Sequence, residues 1–106
     1  MNELATHHCR ERTDKLSDAE ATALLAHVEG WAIEEGRLRK TFAFKNYYHT
    51  IAFVNLVAWI ANKENHHPDL TVGYNKCRVD FVTHSAGGIS ENDFICAARI
   101  EAAQNN

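Results

Sequence analysis

The chain has 106 residues, enough for one domain with a single hydrophobic core and too few for two. Apolar residues make up 45% and charged residues 24% of the chain, the proportions of an ordinary globular protein. The formal net charge of −3 lacks the basic excess of nucleic-acid-binding domains. We therefore expect no direct nucleic-acid partner.

The polar start and the short apolar runs argue against secretion and against a membrane span. Residues 1–12 lack the apolar core of a signal peptide. The densest apolar run, residues 51–61, is shorter than the ~18–20 residues that cross a bilayer. The three cysteines are odd in number and form no C-x-x-C pair, which disfavours a disulfide framework and a thiolate zinc site. We expect a cytoplasmic protein with no membrane partner.

The chain begins with a polar segment and then a helix. Residues 1–16 lack apolar periodicity, which predicts a flexible leader followed by a single domain over residues 17–103. The run from Ser17 to Glu20 is a capping box, in which a serine and a glutamate satisfy the first amides of a helix. The apolar stripe behind it predicts a helix that ends near Gly30.

A hairpin and a long helix come next. Residues 31–34 and 37–44 alternate as strands do, and Gly36 can adopt the positive φ of a tight turn between them. The helix predicted over residues 46–64 is apolar on nearly every side, so more than one layer must cover it. We expect a second copy of the chain to do so, in a homodimer or homotetramer; the alternative is a central helix wrapped by the other two.

A second hairpin and a final helix complete the chain. Residues 70–74 and 77–84 are predicted strands, and Ser90 is the expected N-cap of the last helix. The order α-β-β-α-β-β-α predicts an α+β fold, in which three helices pack on one face of a four-stranded antiparallel sheet.

Three histidines lie near predicted element ends. His66 and His67 precede Pro68, whose ring disfavours helical geometry at His67, so the helix should stop close by and the two rings should face different surroundings. His84 ends the last predicted strand with the parity of its charged residues, which argues against a core role. Such imidazoles suit acid–base catalysis, a three-histidine metal site or a polar patch without chemistry. Adjacent His66 and His67 cannot both face one ion from regular structure, so we predict no metal.

From about residue 16 to residue 101 the chain resembles the pterin-4a-carbinolamine dehydratase family. The resemblance depends on the joint spacing of His66, Tyr74, His84 and Asp93. The further matching residues are Trp31, Phe42-Ala43-Phe44, Phe53, Val57-Ala58, His67-Pro68-Asp69, Asn75-Lys76, Thr83 and Gly87-Gly88-Ile89-Ser90.

The resemblance implies dehydration of a 4a-hydroxy-tetrahydropterin to the quinonoid dihydropterin. The pterin is then the substrate, and no cofactor is expected. By position, the resemblance implies His66 and His84 as general acids, and His67 as a pterin ligand and base. The implied substrate-binding set is Asn65, His66, His67, Thr83, His84 and Ser85.

Three positions depart from the family pattern. Asn62, Asn65 and Ser85 stand where family members often or sometimes carry a carboxylate, which affects the expected rate and substrate preference more than the reaction. Asp93 is expected mainly as a helix cap, and Tyr74 as a structural residue.

Two other functions stay open. One is a non-catalytic interaction role, as in an animal family member that is a dimerisation cofactor for a homeodomain transcription factor. The other is a role in molybdopterin metabolism.

Overall fold

The computed structural model describes residues 3–105, which form three α-helices and one four-stranded sheet. The helices are α1 (Asp18–Leu24), α2 (Tyr47–Glu64) and α3 (Glu91–Gln104), and the strands are β1 (Ala32–Glu34), β2 (Arg37–Ala43), β3 (Asp69–Val72) and β4 (Lys76–Phe81). Short 3₁₀ turns lie at Glu3–Thr6, Leu25–His27 and His84–Ala86.

The sheet has the spatial order β1-β2-β4-β3, and every neighbouring pair is antiparallel. Its register places Leu38 opposite Phe81 and Phe42 opposite Cys77, so these buried side chains share one face. That face packs against buried residues of the helices, including Phe53 of α2. The predicted α+β fold and its element order are confirmed.

Local sequence signals begin the helices and turn the first hairpin as expected, but α1 ends at Leu24, and a 3₁₀ turn at Leu25–His27 follows where the helix was predicted to continue to near Gly30. The Ser17 hydroxyl accepts from the Glu20 N–H, and the Glu20 carboxylate accepts from the Ser17 N–H, which completes the capping box of α1. Glu35 and Gly36 both have positive φ (53° and 72°), as a two-residue hairpin turn with the twist of its strands requires. The Asn46 side chain caps α2 by accepting from the His49 N–H.

Both strands of the second hairpin are shorter than predicted. The strand expected over residues 77–84 ends at Phe81, because its pairing with β2 ends at Leu38 and its pairing with β3 ends at Asp69. Thr83 then makes only an isolated bridge to Gly88, and His84 begins a 3₁₀ turn. The strand expected over residues 70–74 is β3, which ends at Val72. Periodicity predicted the strands, but the lengths of their partners set their ends.

The outer face of the sheet carries charges, one of which is buried. Asp80 is only 3% exposed, and its carboxylate accepts from Arg39 Nε at 2.5 Å and from Arg78 Nε at 3.1 Å. The Asp80 carboxylate raises the pKa of Arg39 above its ordinary value, with help from Glu35. Hydrogen bonds from two guanidinium groups thus compensate the burial of this carboxylate.

Residues 3–105 cover only one side of helix α2. Phe53 and Val57 are buried against the sheet, whereas Tyr48 and Trp59 are 78% and 61% exposed. The alternative of a central helix wrapped by the other two is therefore wrong. Cover by a second copy of the chain stays a prediction. Among residues 3–105 no helix, α2 included, is long and apolar enough to cross a membrane.

The predicted leader packs against the ends of α2 and α3. Leu4 is buried and joins the hydrophobic core. The Cys9 N–H donates to Glu64 Oε1 at 2.7 Å, while the Asn92 amide accepts from the Arg10 N–H and donates to the Arg10 carbonyl. Residues 1 and 2 of the leader lie outside the described residues. The flexibility expected of residues 1–16 stays a prediction.

Candidate active site

The end of α2 positions His66. Asn65 has left-handed geometry (φ 52°), which an asparagine tolerates well, and it directs the chain out of the helix. The His66 N–H donates to the Ala61 carbonyl and the Asn65 N–H to the Asn62 carbonyl, the paired bonds of a Schellman motif. The helix therefore ends through Asn65, three residues before Pro68.

The His66 ring is fixed on two sides. It stacks on Phe81, with ring centroids 5.8 Å apart and an interplanar angle of 11°. Its Nε2 lies 2.5 Å from Asp93 Oδ1, and the side chain is 13% exposed. An ionised carboxylate can only accept, so Nε2 carries the proton of this bond and Nδ1 is the nitrogen left for a ligand. A carboxylate in this position orients the imidazole.

Asp93 is fully buried and connects His66 to the start of α3. Its Oδ2 accepts from the Ser90 N–H at 2.8 Å and from Thr83 Oγ1 at 2.9 Å. Because the Thr83 proton goes to Asp93, the 2.6 Å contact between Thr83 and Ser90 has the Ser90 hydroxyl as donor. The expectation that Asp93 caps the last helix is confirmed. The same carboxylate also holds His66, a contact that the sequence did not predict.

A cavity of about 380 Å³ lies beside His66. Four of the six expected substrate-binding residues line it: Asn65, His66, Thr83 and Ser85. The volume is within the ~300–1,000 Å³ range of small-molecule sites. The structure thus brings together the residues after α2 and the residues after β4, and His66 is the one candidate histidine among those that line the cavity.

His67 and His84 are exposed and do not line this cavity. His67 follows His66 in the chain, and its different surroundings agree with the expectation for neighbouring residues ahead of a proline. His84 lies between two lining residues, Thr83 and Ser85, and its exposure confirms that it is not a core histidine. Catalysis by these two rings stays a prediction.

The leader contributes lining residues that the sequence analysis did not predict: Cys9, Arg10, Glu11 and Thr13, joined by Glu64 and Asn92. The Thr13 hydroxyl is buried and has no hydrogen-bond partner within residues 3–105. A buried hydroxyl without a partner can form a hydrogen bond to a polar ligand atom without first breaking another hydrogen bond.

Glu64 ties this leader to the site, and its charge predicts an acid-sensitive contact. Burial acts to raise its pKa, but the hydrogen bonds from Cys9 and His8 and the positive charge of Arg99 outweigh burial and hold the pKa below the ordinary 4.5. A carboxyl whose pKa is lower in the folded state than in the unfolded state stabilises the fold when the pH is above its unfolded-state pKa. This stabilisation is lost as the pH falls through its folded-state pKa.

We therefore expect wild type to exceed Glu64→Gln in free energy of unfolding by a constant amount above about pH 5, and the difference to shrink below about pH 4.5. Urea unfolding followed from pH 7 to pH 3 measures it. A difference that grows on acidification would contradict this assignment. Glu91→Gln, which removes an exposed carboxylate paired with Arg10, is the matched control.

A second cavity, of about 540 Å³, is larger but has no histidine among its lining residues. It lies between α1, β1 and residues 87–89 and is lined mainly by apolar and small residues, together with the charged residues Lys15 and Asp18. Among the described residues, no three His, Cys, Asp or Glu side chains are grouped to hold a metal ion. The cavity beside His66 is therefore the candidate active site.

Residues 14–103 match the model of a family described as pterin 4 alpha carbinolamine dehydratase. The chain belongs to this family. The pterin-4a-carbinolamine dehydratase match begins at the end of the leader and covers all helices and strands except the last residue of α3. Cys9 to Thr13, which form one wall of the cavity, precede it.

Bacterial relatives in this family are closely similar along nearly the whole chain. A protein of Nitrosospira multiformis, provisionally named a pterin-4-alpha-carbinolamine dehydratase, is 53% identical over 104 residues, 95% of this chain and 92% of its own. A protein of Stenotrophomonas maltophilia with the same provisional name is 57% identical over 90 residues, 83% of this chain and 78% of its own.

Two solved structures share the dehydratase fold. The crystal structure of a transcriptional coactivator/pterin dehydratase from Brucella melitensis has a TM-score of 0.79 at 31% identity, over 84% of this chain and 97% of that one. A pterin dehydratase-like protein identified as a RuBisCO assembly factor in the alpha-carboxysome has a TM-score of 0.60 at 26% identity, over 70% of this chain and 88% of that one.

Proposed function

We propose that this chain dehydrates a 4a-hydroxy-tetrahydropterin to the quinonoid dihydropterin, with His66 as an acid–base catalyst, in recycling of a tetrahydrobiopterin-type cofactor in the cytoplasm. The observation that carries this proposal is the His66–Asp93 contact at the wall of a ligand-sized cavity, in a member of the dehydratase family.

The reaction needs two proton movements. Breaking the bond between C4a and its hydroxyl requires a proton on the leaving oxygen, which then departs as water. Loss of the N5 proton leaves the C4a=N5 double bond. An imidazole titrates near neutral pH and serves in either direction. No electrons are transferred, so a redox cofactor has no role in this step.

The residues of the cavity divide this work. Asp93 holds His66 Nε2, so Nδ1 is the atom that delivers the proton to the leaving hydroxyl. Asn65, Ser85 and Thr13 offer polar groups for the pterin edge. Thr83 also lines the cavity, but its hydroxyl donates its proton to Asp93. We therefore assign Thr83 two roles: it binds the pterin, and it helps to position the Asp93 carboxylate. We retain His84 as a second acid and His67 as a pterin ligand and base.

The decisive experiment is an ultraviolet assay of 4a-carbinolamine breakdown with the purified chain. We expect the protein to accelerate the reaction well beyond the buffer rate, in proportion to its concentration. Protein that leaves the buffer rate unchanged would contradict the dehydratase function. It would favour an interaction role, such as those in the names of the two solved relatives.

We also propose that the chain forms a homodimer or homotetramer through the outer face of α2. Tyr48 and Trp59 are large aromatic side chains left exposed on this helix, and such patches are typical of protein interfaces. Light scattering should give a mass two or four times that of the chain for wild type, and a lower mass for Trp59→Glu. Ala23→Glu, which adds the same charge on exposed α1, should leave the mass unchanged. A monomeric wild type at micromolar concentration would contradict the proposal.

A further inference from the structure

Two of the three thiols lie next to each other, although 87 residues separate them in sequence. Cys9 Sγ in the leader is 3.4 Å from Cys96 Sγ in α3, and it is 3.5 Å from the Asn92 carbonyl one turn earlier on that helix. Cys9 is partly buried and Cys96 fully buried. The third thiol, Cys77, is fully buried in β4.

Backbone contacts on both sides of the Cys9 side chain hold it in this position. Its own N–H is bound by Glu64 at 2.7 Å. The next residue, Arg10, exchanges two hydrogen bonds with the Asn92 side chain, at 3.0 and 2.8 Å. The two sulfurs therefore meet because of the way the leader is anchored. A disulfide requires a sulfur–sulfur distance of about 2.05 Å, so the sulfurs must approach by about 1.4 Å.

We propose that Cys9 and Cys96 form an oxidisable pair, whose disulfide fastens the leader to α3 and fixes the wall of the cavity that Cys9 lines. A hydroperoxide is the oxidant. Its terminal oxygen is attacked by Cys9 sulfur, giving a sulfenic acid and an alcohol or water. Cys96 sulfur then attacks the sulfenic sulfur, its proton leaves with the departing oxygen as a second water, and the S–S bond forms. Two thiols lose two electrons, and one peroxide bond accepts them.

The surroundings give the two thiols different parts in this sequence. The Cys9 thiol and burial, together with the charges of Glu64 and Asp93, raise the pKa of Cys96 well above its usual range. Cys96 thus reacts poorly with an external oxidant. Cys9 borders the cavity beside His66, where a small peroxide can reach it. Cys9 is therefore the thiol that is oxidised first, and Cys96 is the resolving thiol.

The pair can be tested without any assumption about the reaction of the cavity. Full-length reduced protein is treated with one equivalent of hydrogen peroxide, and its thiols are counted after denaturation. We expect the count to fall from three to one and to return to three with dithiothreitol. Digestion with trypsin, which cuts after Arg10, Arg78 and Arg99, should give residues 1–10 disulfide-linked to residues 79–99.

Variants separate this pair from general oxidation. Cys9→Ser should keep both of its remaining thiols, whereas Cys77→Ser should lose both of its own. Because the crosslink closes a long loop, oxidised wild type should melt about 10 °C above reduced wild type, and Cys9→Ser should show no such shift.

Three results would overturn the proposal. They are a thiol count that stays at three, a disulfide that links two chains on a non-reducing gel, and oxidation of Cys9 to a sulfinic acid without a link to Cys96. Should Cys77→Ser fail to fold, the peptide map of the wild type still decides between the outcomes.

Discussion

Replacing His66 by alanine is expected to lower kcat/KM for the 4a-carbinolamine by about 10²–10⁴-fold, the usual contribution of a positioned general acid or base. Of the three candidate histidines, His66 has the ring that both contacts a buried carboxylate and borders the cavity. The loss should appear mainly in kcat, because the ring moves a proton and the other lining residues still bind the pterin. The ultraviolet dehydratase assay measures both constants.

Other histidine variants show whether this effect is specific. His67→Ala and His84→Ala should also slow the reaction, each by less than His66→Ala, because both rings are exposed. His49→Ala removes an exposed ring at the start of α2 and should leave kcat/KM unchanged. A His66→Ala protein that retains its fold and the wild-type kcat/KM would remove His66 from the mechanism.

Replacing Asp93 is expected to affect both folding and activity. Asp93→Ala removes a helix cap and leaves the Thr83 hydroxyl and the Ser90 N–H without an acceptor, a loss of about 2–4 kcal/mol in free energy of unfolding. Asp93→Asn preserves the shape but removes the carboxylate that orients the His66 ring. We expect its kcat to fall at least about tenfold, because the ring is then no longer held in position.

A second capping box in the same chain provides the control. Glu20 occupies in α1 the position that Asp93 occupies in α3, and its carboxylate likewise accepts from the N-cap serine. Glu20→Gln should therefore weaken a helix cap without changing kcat. Urea unfolding and the dehydratase assay together test the pair. If Asp93→Asn has the wild-type kcat, Asp93 only caps the helix.

Much of the fold could be predicted because its signals are local. Ser17 and Glu20 interact within one helical turn, and Gly36 determines a two-residue turn within its own hairpin. Strand periodicity correctly assigned the core face of β4 from its alternating residues. The end of β4 was predicted too far along the chain. Phe81 is the last residue of β4 that pairs with β2, and the residue pattern of one strand does not indicate where its partner strand ends.

The family resemblance indicated four of the ten residues that line the cavity, but it could not indicate the leader. Asn65, His66, Thr83 and Ser85 follow α2 and β4, whose ends meet through the sheet and helix packing that the element order predicts. Cys9 and its neighbours precede the first helix and carry no periodic pattern. Polar residues at a chain terminus are usually disordered, so their sequence favoured a frayed segment over a wall of the site.

The sequence by itself determined the class of fold, the order of its elements and the three histidines worth testing, because each depends on periodicity, caps and turns within a few residues. Only the tertiary structure decided that Asp93 holds His66, that Glu64 anchors the leader, and that Cys9 meets Cys96. These contacts join residues 27, 55 and 87 positions apart. Contacts over such distances depend on how whole elements pack, and no local pattern of residues encodes them.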